Sequence, residues 1–245
     1  MQILALAAAC LLALIHLFAA RFSFLGGVPR NRWLSFAGGI SIAYILVHLL
    51  PELNRSQQEA IGENHPLTIA LEEPVYIVAL AGLVAFYGLE HLALASRDQN
   101  RGAGEKDSTT PAVFWIHIGS FALYNALIGY TLFHLEEGLT LNSVLLFTVA
   151  MGLHFIISDF SLREHHHEER YQHKGRWLLS GAILLGAAVG FVTELPEEVT
   201  AVTIAFLSGG VILNVIKEEL PKERQSRFVP FLLGAAGYAV LLLAV

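Results

Sequence analysis

Eight apolar runs, separated by short polar connections, occupy most of the sequence. A run of about 20 mainly apolar residues is long enough to cross a bilayer as an α-helix. The pattern therefore predicts an all-α integral membrane protein with eight transmembrane helices, in a single polytopic membrane domain over residues 1–245. The predicted helices cover residues 3–20, 33–51, 75–95, 111–135, 139–162, 177–193, 199–216 and 228–245.

The first run is predicted to be a retained helix and not a secretory signal peptide. No basic residue precedes its apolar core, and Arg21 follows the core directly. A signal peptide carries its positive charge before the core. We therefore expect this helix to have its N-terminus outside.

The composition agrees with a membrane protein. Hydrophobic residues make up 55% of the chain and charged residues only 15%, which is too apolar for a soluble domain. The single cysteine, Cys10, lies in the first run, so a disulfide framework and a thiolate metal cluster are excluded. The lipid bilayer is the expected surrounding, and no nucleic-acid partner is expected.

The distribution of charge predicts the orientation. Of the 15 Lys and Arg residues, all except Arg55 fall in odd-numbered connections. Because cytoplasmic loops collect positive charge, both termini are predicted to lie outside. The even-numbered connections are acidic and would concentrate cations at the outer surface, although any short membrane loop also needs solubilising charge. Their glutamates are Glu59, Glu63, Glu72, Glu73, Glu136, Glu137, Glu194, Glu197 and Glu198.

Two segments of the chain are similar to each other. "SFAGGISIAYILVHLLPEL" begins at Ser35 and "AFLSGGVILNVIKEELPKE" begins at Ala205; both contain Phe, a glycine pair and a terminal Leu-Pro. The alignment needs one gap. In the predicted topology the two segments run in opposite directions, as in inverted-repeat transporters. Glycine pairs are also common wherever membrane helices pack closely.

The fifth run contains ionisable residues, which are costly inside a membrane and therefore favour a functional interpretation. His154 lies near its middle, and at helical pitch Ser158, Ser161 and His165 share its face. Asp159 lies about 140° from His154 around the helix. One ion would reach both side chains only through a bend or a partner helix.

A histidine cluster follows this run, on the predicted cytoplasmic side. Imidazoles and carboxylates together bind divalent transition metals, so the cluster would accept released metal or sense its level. A solvated loop without such a role is the alternative. The cluster consists of His165, His166, His167, Glu168, Glu169 and His173.

The eight helices, the two similar segments and the histidine-bearing fifth run together resemble the ZIP family of divalent-metal transporters. The resemblance covers nearly the whole chain, and its most specific part is the stretch from Gly38 through His48, Pro51 and Glu52. It implies transport of zinc, iron or manganese towards the cytoplasm, with no tightly bound cofactor and no enzymatic activity. It also implies a bacterial inner membrane or another plasma membrane, and leaves a homodimer open.

The metal motifs of that family are matched only in part. The family carries a pattern like HNxPEG on its fourth helix and HExPxE on its fifth, where this chain has "YNALIG" and "HFIISD". Asn125, Gly129 and His154 match, and Asp159 stands in place of the final acid. Tyr124, Leu127, Ile128, Phe155 and Ile157 replace other motif residues, and Ser158 holds a position that is often His or Glu.

The resemblance thus implies a reduced metal site formed by His154, Asn125, Ser158 and Asp159. Since Ile128 and Phe155 cannot coordinate, this would be a weak, partly hydrated, single-ion site. His48 and Glu52, four residues apart on one helix face, would make the first contact with an incoming ion. Movement of one helical bundle against another would give alternating access.

Other interpretations of the sequence stay open. One is a non-transporting protein that senses metal or has a structural role. Another is an intramembrane metal-dependent hydrolase, with His48 or His117 as a further ligand and an acid such as Asp159 beside an activated water. His117 and Tyr124 would continue the pathway or pack, and Glu90 and His91 are expected to extend to the membrane interface.

Overall fold

The computed structural model describes residues 1–18, 32–62, 74–103, 109–135, 139–165, 170–219 and 227–244. These residues form helices and short connections, with no strand among them, so the predicted all-α class is confirmed. The α-helices are α1 (Gln2–Phe18), α2 (Arg32–Tyr44), α3 (Leu50–Gly62), α4 (Pro74–Gly102), α5 (Pro111–Thr131), α6 (Leu141–His165), α7 (Arg176–Val192), α8 (Glu197–Asn214) and α9 (Phe228–Leu243).

Among the described residues, six helical stretches are long and apolar enough to cross a membrane, which indicates a multi-pass membrane protein. They are Ser35–Gln58, Pro74–Gly102, Pro111–Thr131, Leu141–Arg163, Tyr171–Val192 and Glu198–Lys217. The apolar helices α1 and α9 are shorter, with 17 and 16 residues. Each rises about 25 Å, less than the roughly 30 Å of a hydrocarbon core. Eight crossings with both termini outside therefore stay a prediction.

Within the described ranges, three π-helical segments interrupt or extend the α-helices: Ile45–Leu49, Tyr171–Gly175 and Val215–Glu219. The first has a cause in the sequence, because Pro51 has no N–H to donate to the preceding turn. The helix changes to bonds spanning five residues, and the Leu50 N–H donates to the Ile45 carbonyl. It consequently continues past the proline to Gly62, whereas the sequence pattern predicted an end at residue 51.

The two similar segments share this local structure in a register that needs no gap. The π segments Ile45–Leu49 and Val215–Glu219 each end two residues before a proline. In this register Gly39 corresponds to Gly209. The alignment of the sequences matched the two glycine pairs instead, which shifts the glycines by one residue. Corresponding residues are Phe36 and Phe206, Gly39 and Gly209, and Pro51 and Pro221.

In this register, the close backbone contacts at glycine occur at corresponding residues of the two segments. A Cβ atom on Gly39 would lie 2.2 Å from the Phe231 carbonyl oxygen of α9, and one on Gly234 would lie 2.1 Å from the Phe36 carbonyl oxygen. Such distances leave no room for a side chain, so the two backbones touch. The helices α2 and α9 are packed by this reciprocal contact.

The same arrangement packs α8 against α4. A Cβ atom on Gly209 would lie 1.9 Å from the Ala79 carbonyl oxygen, and one on Gly82 would lie 2.0 Å from the Phe206 carbonyl oxygen. Each helix pair thus uses the corresponding glycine and phenylalanine of one segment. The similarity between the segments extends from sequence to packing.

The chain divides into two compact units. Unit 1 comprises Met1–Gly26 and Tyr87–Thr193, and unit 2 comprises Gly27–Phe86 and Glu194–Val245. Within unit 1, α5 packs on α7, and α1 packs on both α6 and α7. Both units are helical where described, and the single polytopic domain stays a prediction.

Replacing Gly186 by Ala should destabilise unit 1. A Cβ atom there would lie 1.8 Å from the Ala126 carbonyl oxygen of α5, and overpacking of this kind costs about 1–3 kcal/mol. Gly181 lies on the same helix with no neighbouring atom within 4 Å, so Gly181→Ala should be neutral or stabilising by up to about 1 kcal/mol. Thermal unfolding in detergent measures both variants, and equal midpoints would contradict the close contact.

Candidate functional site

A network of buried polar side chains lies within unit 1. Its members are His16 of α1, Asn125 of α5, Asp159 of α6 and Tyr171 of the π segment before α7, each no more than 2% exposed. Polar groups removed from solvent need partners inside the protein. The network therefore ties these four elements together.

The imidazole of His16 lies between a carboxylate and an amide. Its Nδ1 is 2.9 Å from each carboxylate oxygen of Asp159, and its Nε2 is 2.8 Å from Asn125 Oδ1. The amide nitrogen of Asn125 donates to the Phe121 carbonyl at 2.7 Å, which leaves its oxygen facing the ring. One proton on Nε2 and one between Nδ1 and the carboxylate satisfy this geometry. The His16–Asp159 pair is then neutral overall.

Aromatic groups complete this arrangement. The Tyr171 hydroxyl donates to Asp159 Oδ1. Phe155 packs against His16 with the ring centroids 4.5 Å apart. Its ring thus covers the His16 imidazole.

A second polar group is centred on His154. Its Nε2 is 3.3 Å from Tyr124 Oη and 3.4 Å from Ser158 Oγ, and all three side chains are buried. Ligands of one tetrahedral metal ion with bonds of about 2.0–2.1 Å lie roughly 3.3–3.4 Å apart. The two nitrogen-to-oxygen distances at His154 therefore match those between ligands of a small cation as well as those of hydrogen bonds, with hydroxyls in place of the stronger carboxylates.

The four residues predicted as the central metal site are divided between these groups. His154 and Ser158 belong to one, and Asn125 and Asp159 belong to the other. Helical geometry explains the division, because Ser158 lies one turn after His154 whereas Asp159 points elsewhere. Within the described part of the chain, no group of three His, Cys, Asp or Glu residues could hold a metal ion. A metal site here would need hydroxyl or amide oxygens, and it stays a prediction.

A buried row of side chains leads along α5 to His154. The His117 ring is 5.1 Å from the Phe121 ring, which is 6.3 Å from the Tyr124 ring. His117 Nε2 lies 3.9 Å from a carboxylate oxygen of Glu90, whose side chain is 14% exposed. The Glu90 carboxylate thus faces His117 of α5, and its place at the membrane interface stays a prediction.

His48 and Glu52 form a pair in unit 2. His48 Nε2 is 3.5 Å from Glu52 Oε2, and the two side chains are 21% and 10% exposed. The Tyr44 ring lies 5.2 Å from the imidazole. The predicted shared face is present, and the π segment Ile45–Leu49 contains the histidine. Its role in collecting an ion stays a prediction.

Much of the histidine cluster lies outside the described residues. His165 ends α6 without a described side chain, and His173 is exposed in the π segment. His166, His167, Glu168 and Glu169 lie outside the described ranges, as do the predicted acidic residues Glu63, Glu72, Glu73, Glu136 and Glu137.

Sequence analysis missed His16 and Tyr171. Like His154, His16 is a single histidine within an apolar run, and this feature marks it as a candidate functional residue. Tyr171 carries no such signal, because tyrosines near helix ends are common at membrane interfaces. Only its burial and its contact with Asp159 reveal it.

No protein-family model matches the sequence, and no curated protein matches it. The resemblance to ZIP transporters therefore depends on the quoted motifs.

Replacing His16 by Leu should destabilise the protein by about 3–5 kcal/mol, because removing one partner of a buried pair leaves the other without compensation. The matched control is the double variant His16→Leu/Asp159→Asn, which removes the ionisable carboxyl group as well and should recover part of the loss. Denaturant unfolding in mixed micelles measures both. If the double variant is no more stable than the single one, the His16–Asp159 interaction does not account for the loss in the free energy of unfolding.

Proposed function

We propose that this protein is a divalent-metal transporter of the ZIP type, which passes zinc, iron or manganese towards the cytoplasm. The observation that supports it most is that two hydroxyl oxygens, Tyr124 Oη and Ser158 Oγ, lie 3.3 and 3.4 Å from His154 Nε2, at distances that suit two ligand pairs of one small cation. Asp159 follows Ser158 directly and forms a buried pair with His16. Ionisable groups buried inside membrane helices mark ion pathways.

The proposed site binds its ion weakly. His154 supplies the one strong ligand, and the hydroxyl oxygens of Tyr124 and Ser158 supply the others. His16 pairs with Asp159. The Asp159 carboxylate therefore attracts a cation less strongly than an unpaired carboxylate would. Weak binding favours release after translocation. The two polar groups belong to unit 1, so they can move as one body during alternating access.

The internal repeat supports a transporter architecture. The two segments share a π turn and a glycine contact in one register, and such repeats form the frame of many secondary transporters. In the proposed topology eight helices cross the membrane and both termini lie outside. The acidic connections and the His48–Glu52 pair then collect cations, and the loop containing His165, His166 and His167 receives them.

Uptake of Zn²⁺, Fe²⁺ and Mn²⁺ into proteoliposomes tests the proposal. Wild-type protein should give saturable flux, and His154→Ala should lose it by roughly tenfold or more, because the strong ligand is removed. His91→Ala is the control, since His91 is an exposed histidine of α4 and its loss should leave flux unchanged. Normal flux in a folded His154→Ala variant would remove His154 from the site.

One observation favours a second candidate, a metal sensor or structural protein that does not transport. His16, Asp159, Asn125 and Tyr171 satisfy one another without an ion. In that case proteoliposomes should show no flux of any of the three metals, while the folded protein still binds metal. Substituting His165, His166 and His167 together by Ala should abolish this binding, and flux in the unsubstituted protein would exclude the candidate.

A further inference from the structure

We infer that unit 1 carries a binding site for the anionic headgroup of a phospholipid, formed around Arg170 and Lys174. The inference concerns the edge of the membrane-spanning region and does not depend on the proposed transport. Each of these two cations is held against an aromatic ring.

Arg170 and Lys174 lie on neighbouring rings of α5. The Arg170 guanidinium carbon is 5.5 Å from the Phe114 ring centroid, and Lys174 Nζ is 5.6 Å from the Trp115 ring centroid. The two rings contact each other edge to face at 5.2 Å. Arg170 also donates to the Thr109 carbonyl at 3.4 Å. Each positive charge is therefore held against a ring, and the two rings are in contact.

These charges lie at the level expected for lipid headgroups. Trp115 and Lys174 each follow within about one turn of the start of a candidate span, Pro111–Thr131 and Tyr171–Val192. One turn rises about 5 Å, and tryptophan is enriched at this boundary. Trp115 is 47% exposed, so an acyl chain can lie against its ring while the phosphate meets the two cations.

Two more cations, Arg163 and Arg176, lie near the end of α6 and at the start of α7. Arg176 lies 5.6 Å from the Trp177 ring and donates to the Leu17 carbonyl at 3.3 Å. The Nε atoms of Arg163 and Arg176 are buried and have no hydrogen-bond partner among the described residues. Both guanidinium groups lie close enough to Tyr171 for their charges to act on its phenol.

The arrangement favours a lipid over a soluble anion. A phospholipid places its phosphate at the cations and its acyl chain on the exposed faces of Trp115 and Trp177, whereas free phosphate gains only the first contact. Glu164, near the end of α6, and Glu168 and Glu169, which follow that helix, have side chains outside the described structure. The site is therefore defined by Arg170 and Lys174.

Tryptophan fluorescence can test the site, because the chain has only three tryptophans. The variant Trp33→Phe/Trp177→Phe keeps Trp115 as the single reporter. In vesicles, phosphatidylglycerol with brominated acyl chains should quench Trp115 more than equally brominated phosphatidylcholine at the same mole fraction. Each cation is expected to raise the preference about fivefold. Adding Arg170→Gln and Lys174→Gln should therefore lower it by roughly tenfold or more.

Trp33 provides the matched control. It lies 5.9 Å from Arg32 and outside the proposed site, so the variant Trp115→Phe/Trp177→Phe should show a smaller preference for phosphatidylglycerol. The ratio of quenching by the two lipids is taken within each variant, after thermal unfolding confirms that it is folded. Equal quenching of Trp115 by both lipids, or a preference that survives the two Gln substitutions, would overturn the proposal. Loss of the preference on adding inorganic phosphate would assign the site to a soluble anion instead.

Discussion

The buried pair of His16 and Asp159 constrains unit 1 because neither group can be satisfied by solvent. Once the imidazole faces the carboxylate at 2.9 Å, its other nitrogen requires the Asn125 oxygen, and the carboxylate takes the Tyr171 hydroxyl as a further donor. Four elements that are distant in sequence are thereby held in one arrangement. A buried pair of this kind specifies geometry more reliably than it adds stability.

Backbone contact at glycine provides the second constraint. A lipid environment gives little hydrophobic driving force for helix association, so close packing must supply it. Glycines at corresponding places in the two similar segments permit such packing in unit 2, and Gly129 and Gly186 permit it between α5 and α7 of unit 1. The buried polar groups of unit 1 thus lie beside helices that can approach without intervening side chains.

The proposed site depends on helical periodicity and on a contact between residues that are distant in the chain. Helical periodicity predicted that His154 and Ser158 share a face, and the structure brings their polar atoms to 3.4 Å. Periodicity also predicted that Asp159 points away from His154, but it could not predict which group Asp159 meets. That partner is His16, which is 143 residues away in the chain, and no local pattern encodes such a contact.

The sequence by itself determined the helical class and the place of each apolar run, because hydrophobic length and periodicity are local properties. It also located His154 and the repeat, since ionisable residues and glycine pairs are conspicuous in apolar runs. The tertiary structure alone decided the continuation of the second helix past Pro51, the gap-free register of the repeat and the enclosure of Asp159 by His16 and Tyr171. These features depend on which helix faces which, and that choice follows from packing over the whole unit.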